Sequence, residues 1–249
     1  MALLEVKGVT QVYDGVTIIE DVSFSAERGE TVCLIGASGV GKTTLFQVLS
    51  GLTVPASGEV LLNGENVVGK TGKVSYMLQK DLLLPFKTII DNVSLPYRVG
   101  GMPKKCAREK VAPYFEQFGL QGTEKKYPGQ LSGGMRQRAA FMRTYFFGHE
   151  LMLLDEPFSA LDEMTREDMY AWYMRIAAEL NLSTVFISHN LEEALTLADR
   201  ILVMAGRPGR IAHELKIARD GTEGDFSTSV RFAEYKKTLK ELLTRNAEH

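Results

Sequence analysis

Four short segments carry the residue types that handle phosphate, a divalent cation and water. The first is Gly36-Ala37-Ser38-Gly39-Val40-Gly41-Lys42-Thr43, with Thr44 following. Gly36, Gly39 and Gly41 permit backbone conformations and close approaches that a Cβ would obstruct. The loop N–H groups can then point inward at phosphate oxygens, helped by the N-terminus of a following helix. Lys42 suits the β and γ phosphates, and the Thr43 hydroxyl suits Mg²⁺. Such a pattern arises by chance in about one chain in a hundred of this length. Here it lies between an apolar run and a helical pattern, which disfavours an ordinary glycine turn.

The second segment is Leu151-Met152-Leu153-Leu154-Asp155-Glu156, an apolar run ending in two carboxylates. Asp155 can hold Mg²⁺ directly or through water. Glu156 beside it can polarise an attacking water. Alone, such a run is mostly structural, and its place downstream of a phosphate loop favours the chemical reading. The third is Ser188-His189, at the end of another apolar run. His189 can hydrogen-bond a γ phosphate or the water. By itself it reads equally as a surface histidine at a helix start. The fourth is Leu131-Ser132-Gly133-Gly134-Met135-Arg136-Gln137. Its glycine-rich helix entry offers a second anion-binding N-terminus or a plain helix cap, and the residues alone do not choose. Arg136 and Arg138 are equally readable as exposed helix residues.

The elements that must position these groups follow from periodicity. Residues 3 to 35 alternate as strands, with Asp14-Gly15 as a hairpin turn. Thr31 to Ile35 reads as a buried central strand that ends at the glycine loop. A helix runs from Lys42 to Ser50, stopped by Gly51. Gly58 to Met77 reads as short strands with a turn at Asn63-Gly64, and Ile89 to Phe147 as mostly helical. Leu151–Leu154 and Thr184–Ser188 are buried strands, and Asp162 to Leu180 is a long amphipathic helix. Asn190 caps the next helix, with Glu193 reaching back. Ile201–Met204 and Ile211–Leu215 are late strands, Arg219–Gly224 is a loop, and Val230–Thr244 is a surface helix. Strands and helices alternating around a central helical block predict an α/β fold, a mostly parallel sheet with an inserted helical subdomain.

Composition narrows the class. The 249 residues are 45% hydrophobic with a net charge of −2, enough for one α/β domain and without the basic excess of a nucleic-acid surface. Lys104-Lys105 and Lys125-Lys126 read as solvated helix faces. The two cysteines, Cys33 and Cys106, have no metal spacing and fit a reduced cytoplasm. No signal peptide opens the chain, and no apolar stretch nears the roughly 18 residues of a membrane span. Work at a membrane would require a partner.

Taken together, the four segments resemble those of the ATPase subunits of ATP-binding cassette (ABC) transporters, over nearly the whole chain. Leu131 to Gln137 resembles the signature motif of that family, a highly specific marker. The resemblance implies that Gly36–Thr44 is the Walker A loop and Leu151–Glu156 is Walker B, with Glu156 as catalytic base. It makes Ser159-Ala160-Leu161-Asp162 the D-loop, Gln79 the Q-loop glutamine, which would also reach the metal, and His189 the switch histidine. Tyr13 falls where the family stacks an aromatic ring on adenine; as a bare residue it reads as hairpin packing. The implied fold is a P-loop NTPase of the ABC ATPase type with an N-terminal antiparallel β subdomain. The implied organisation is a single domain, with a nucleotide-binding core over about 1–85 and 150–220, a helical subdomain over 86–149 and a tail over 221–249.

The same resemblance implies ATP and Mg²⁺ as cofactors and a homodimer paired head to tail, each ATP lying between one Walker A loop and the other subunit's signature motif. It also implies integral permease subunits as partners, indirectly an external substrate-binding protein, and a peripheral place on the cytoplasmic face of the cell membrane. Tyr76 to Phe86 and Arg207-Pro208-Gly209-Arg210-Ile211 resemble the nitrate, sulfonate, taurine and thiamine-precursor importer branch, although many of its members have Trp at Phe86 and Asp at Asn190. A soluble cassette ATPase acting on ribosomes or DNA is the alternative. Those proteins usually carry two cassettes or a long coiled-coil insertion, and neither is seen here. A nucleotide switch without turnover is disfavoured by Glu156 and His189 together.

Overall fold

The computed structural model describes residues 2–219 and 226–245. Strands β1 (Leu4–Tyr13) and β2 (Val16–Ala26) open the chain, β3 (Thr31–Gly36) runs into helix α1 (Lys42–Leu49), and β4 (Ser57–Leu62), β5 (Glu65–Asn66) and β6 (Ser75–Met77) follow. Helices α2 (Ile89–Val93), α3 (Leu95–Val99), α4 (Lys104–Val111) and α5 (Gly133–Tyr145) fill the middle. Then come β7 (Leu151–Asp155), α6 (Glu163–Glu179), β8 (Ser183–Ser188), α7 (Leu191–Leu197), β9 (Arg200–Ala205), β10 (Arg210–Lys216) and α8 (Val230–Arg245).

Two sheets result. The first is antiparallel, in the order β2-β1-β4-β5. Its hairpins turn at Asp14-Gly15 and Asn63-Gly64, where all four residues have positive φ (48°, 80°, 51° and 78°). That is the two-residue geometry that matches strand twist. The second sheet has the order β10-β9-β3-β8-β7-β6 and is parallel apart from β10. β3, β7 and β8 are buried along their whole length, which is why their sequences are continuous apolar runs.

One apolar cluster lies between α1, the first sheet and the parallel sheet, around Val9, Leu34, Phe46 and Val60. The other joins the parallel sheet to the central helices, around Phe118, Phe141, Trp172 and Ile176, and includes Cys33. Phe141 meets Trp172 and Tyr173 edge-on at 5.3 and 5.8 Å, which ties α5 to α6. A buried Phe of this kind is worth about 3–5 kcal/mol over Ala. Arg200 fastens the far end of the sheet: its guanidinium reaches Glu30 at 2.8 Å, Glu214 at 3.1 Å and the Ser25 carbonyl at 2.5 Å.

Two expectations change, and a third lies mostly outside the described residues. The central block is less helical than its pattern suggests, because from Phe115 to Ser132 the chain runs through turns and a single 3₁₀ turn at Pro128–Gln130. Gly119, Gly122 and Pro128 interrupt it. Glu193 does not reach back to the α7 cap. The Asn190 carboxamide accepts from Glu192 and Glu193 N–H, while the Glu193 side chain turns inward and is buried. Of the loop expected over Arg219–Gly224, residues 220–224 lie outside the described residues. Lys104 and Lys105 are exposed on α4 and Cys33 is buried, as their sequence contexts predict, whereas Lys125 and Lys126 are exposed in the turns before Pro128 and not on a helix.

Candidate active site

Parallel pairing brings the chemistry to one edge. Ile35 pairs with Ser188, Gly36 with Met204, Asp155 with Ile187, and Met77 with Leu154. The carboxyl ends of β3, β6, β7 and β8 are therefore level, and the next residues of each strand converge. Open α/β sheets bind ligands at that edge.

The glycine loop connects β3 to α1. Gly41 has φ 103°, and a Cβ there would lie 2.3 Å from Ile19 Cγ2. Gly209, from the segment singled out in the sequence, packs against the back of the loop. Its N–H donates to the Ile18 carbonyl, its carbonyl accepts from Glu20 N–H, and a Cβ would overlap the Val40 carbonyl at 1.9 Å. Lys42 is buried, and its Nζ donates to the Gly36 and Ala37 carbonyls at 2.8 and 2.9 Å. Burial pushes the Lys42 ammonium below its ordinary value, opposed by the Glu156 and Asp155 carboxylates. A cation desolvated at a cost and, among the described residues, hydrogen-bonded only to carbonyls is suited to receive negative charge. Ala37, Ser38 and Gly39 are exposed, with open space over Gly39, while Val40 is buried and anchors the loop. Thr43 and Thr44 follow Lys42 in the first turn of α1.

Asp155 is buried at the end of β7, and burial first, then Glu156, raises its carboxyl above the usual range. The Tyr76 hydroxyl donates to its Oδ2 at 3.4 Å. Glu156 has φ 46°, a left-handed conformation that costs a non-glycine residue roughly 1–2 kcal/mol. The turn is held by Glu156 N–H on the Ile187 carbonyl and by the Ser159 hydroxyl on the Glu156 carbonyl at 3.0 Å. It aims the carboxylate outward, where Oε2 accepts from Gln79 Nε2 at 2.9 Å and meets His189 Nδ1 at 3.2 Å. Three residues remote in sequence thus share one oxygen. They line a cleft of about 740 Å³ together with Lys80, Asp81 and Gly133.

The signature segment opens helix α5. The exposed Ser132 caps α5 by accepting from Met135 N–H at 3.3 Å. Gly133 is half-buried, and Gly134 is buried, where a Cβ would lie 2.9 Å from Thr165 Cγ2. Asp162, also exposed, caps α6 through Thr165 N–H at 3.0 Å. Among the described residues no hydrogen bond joins Ser132–Gly134 or Asp162 to the Gly36–Thr44 loop. Arg136 is no free surface residue: it bonds the Leu131 carbonyl and faces Asp81 at 3.4 Å. Arg138 lies over the Trp172 ring. Tyr13 ends β1, is 40% exposed, and donates to Gln47 Oε1 on α1 at 3.4 Å.

Sequence reading missed four participants. Tyr76 carries no motif spacing, and the spacing of Glu193 points to a helix cap rather than to a buried acid. Arg143 of α5 donates to the Asp81 and Leu82 carbonyls at 2.5 and 2.8 Å, which ties the signature helix to the segment after Gln79. Asn92 is fully buried and holds Leu84 N–H at 2.7 Å, with its amide on the Leu84 and Lys87 carbonyls at 3.1 Å. A polar residue inside an apolar helical pattern is the one signal that could have found it.

A parallel sheet whose edge gathers a glycine loop, two carboxylates and a histidine defines a P-loop α/β protein. A family model described as ABC transporter matches residues 19–159. The formylaminopyrimidine import ATP-binding protein ThiZ of Halalkalibacterium halodurans is 38% identical over 223 residues, 90% of this chain and 87% of that one. The nitrate import ATP-binding protein NrtD of Synechocystis sp. is 36% identical over 224 residues, 88% and 84% of the two chains. A dimeric structure of a post-hydrolysis state of the ATP-binding cassette MJ0796, bound to ADP and Pi, superposes with a TM-score of 0.73 at 25% identity, covering 86% of this chain and 99% of that one. The chain belongs to the ABC transporter family and is an ATP-binding ATPase of it. Among the described residues, no helix is long and apolar enough to cross a membrane.

Proposed function

We propose that this chain is the ATP-hydrolysing subunit of an importer, working as a head-to-tail homodimer under a membrane permease. The observation that carries the reading is the meeting of Gln79 and His189 on Glu156 Oε2, beside a buried Lys42 that, among the described residues, forms no ion pair and donates to two backbone carbonyls. Lys42 and the N–H groups of Gly36 to Thr44 hold the phosphates, and Tyr13 offers an exposed ring to the base. Glu156 takes the proton of the attacking water, while Gln79 and His189 orient that water and Glu156. The donors Thr43, Gln79 and Asp155 are all oxygens, which fits Mg²⁺. Bound there, Mg²⁺ would neutralise charge on the transferred phosphoryl group. Ser132, Gly133, Gly134 and Asp162 serve the partner's nucleotide, which accords with the lack, among the described residues, of any hydrogen bond from them to the glycine loop of their own chain. The functional units are a core over about 1–85 and 150–220, a helical subdomain over 86–149 and a tail over 221–249.

Importer names among the relatives support transport as the purpose, with integral permease subunits as direct partners, an external substrate-binding protein further out, no nucleic acid, and a peripheral place on the cytoplasmic face. The permease contact is proposed for the segment after Gln79. Leu83 is buried and anchors it, whereas Leu82 and Phe86 are exposed, Phe86 by 72%. Asn92, further along the chain, is buried and lies outside this face. Phe86→Ala should leave thermal stability within about 0.5 kcal/mol, as surface substitutions do. Basal ATPase should persist, and recovery with the membrane fraction and transport should fall. A collapse of thermal stability, or unchanged transport, would contradict the docking role. Co-purification with ribosomes or DNA in place of a membrane protein would overturn the importer reading.

A further inference from the structure

Glu193 is a buried acid that the proposed chemistry does not use. It lies on α7, one helical turn after His189, and is 4% exposed. One carboxylate oxygen, Oε2, accepts from the Tyr170 hydroxyl of α6 at 3.4 Å, and Oε1 has no hydrogen-bond partner among the described residues. Arg166 of α6, Glu156 after β7 and Glu192 of α7 are the charged groups around it, with the buried Cys33 thiol on β3. The Ser188 hydroxyl is also within its reach. Burial pushes the Glu193 carboxyl up to about 7, only partly offset by Ser188, Arg166 and Tyr170.

Ser188 immediately precedes His189. Its Oγ accepts from Asn190 N–H at 2.9 Å, and its hydroxyl donates to the Asn190 carbonyl at 3.2 Å. These two bonds close the turn that carries His189. Ser188 has one proton to give. A neutral Glu193 can donate its own proton to Ser188 Oγ, which leaves the Ser188 hydroxyl on Asn190. An ionised Glu193, with a buried and unpaired oxygen, demands that hydroxyl for itself. The turn then loses one of its two closures.

We infer that Glu193 is a proton-dependent positioning residue: when neutral it leaves Ser188 free to fix the turn that presents His189 to Glu156, and when ionised it pulls Ser188 away. The inference rests on the proposed role of His189, which is tested separately.

Glu193→Gln keeps the shape and mimics the neutral acid. The ATPase kcat of the full chain is measured for wild type and variant from pH 6 to 8, and the ratio of variant to wild type is taken at each pH, which cancels titrations common to both. A group titrating near 7 is about nine-tenths ionised at pH 8, so the ratio should rise by up to about ten-fold across the range. KM for ATP should stay level, because the glycine loop is untouched. Ser188→Ala, combined with Glu193→Gln and compared with Ser188→Ala alone, should flatten the ratio. Independently of turnover, the Asn190 backbone amide resonance of the nucleotide-free protein, which reports the Ser188 turn, should move with an inflection near pH 7 that Glu193→Gln removes. A ratio flat with pH, or the same Asn190 amide profile in both proteins, overturns the inference. If His189→Ala retains full ATPase, the reading of His189 itself fails, and that result is distinct from either.

Discussion

Glu156→Gln should bind ATP and lose turnover by about 10²- to 10⁴-fold, the usual range for removing a general base. The amide keeps the size of the side chain and can still meet Gln79 and His189, so the local turn should persist. What disappears is the capacity to take a proton. The expected protein is one arrested with ATP in place, and light scattering should show it accumulate as a dimer when ATP is added. Normal hydrolysis together with a monomeric mass in ATP would remove Glu156 from the role of base. The side chain's placement makes the test sharp, because a left-handed backbone at φ 46° holds the carboxylate into the cleft whatever its charge.

Lys42→Ala should fail at an earlier step. It removes the donor proposed for the transferred phosphate, and losses of about 10²- to 10³-fold accompany removal of one such preorganised donor. Unlike Glu156→Gln, the defect should appear in binding as well, read as weakened ATP affinity by calorimetry. The nucleotide-free fold should survive, since the ammonium is desolvated at a cost and, among the described residues, hydrogen-bonds only the Gly36 and Ala37 carbonyls. Wild-type ATPase in this variant would contradict the assignment of the glycine loop.

The edge of the sheet was legible in the sequence because each motif is local and closes an apolar run. Gly36, Asp155 and Ser188 each follow four or five buried residues, and parallel pairing then has to bring those ends level. The two hairpins were legible for the same reason, since Asp-Gly and Asn-Gly encode their own backbone geometry. What stayed hidden depends on contacts between distant segments. No spacing shows that Gln79 and His189 share one oxygen of Glu156, nor that Tyr76 reaches Asp155 across neighbouring strands. Glu193 misled for a related reason. Its position three residues after Asn190 fits a capping pattern, but the helix packs with that face inward and buries the carboxylate against Tyr170. In the segment after Gln79, apolar character said nothing about direction: Leu83 faces the core, while Leu82 and Phe86 face outward.

The central claim is that each hydrolytic site is shared between two copies of this chain. Ser132→Arg places bulk and charge where the partner's γ phosphate would dock and should abolish turnover, as Lys42→Ala should, each in a homodimer. Mixing the two variants is the most direct test, read as ATPase activity after subunit exchange. In a head-to-tail dimer of one copy each, both defects fall on the same site and the other site is wild type. An equimolar mixture should therefore recover roughly a quarter of wild-type activity, from one intact site in half of the dimers. Activity no greater than that of the two variants measured separately would contradict the shared site.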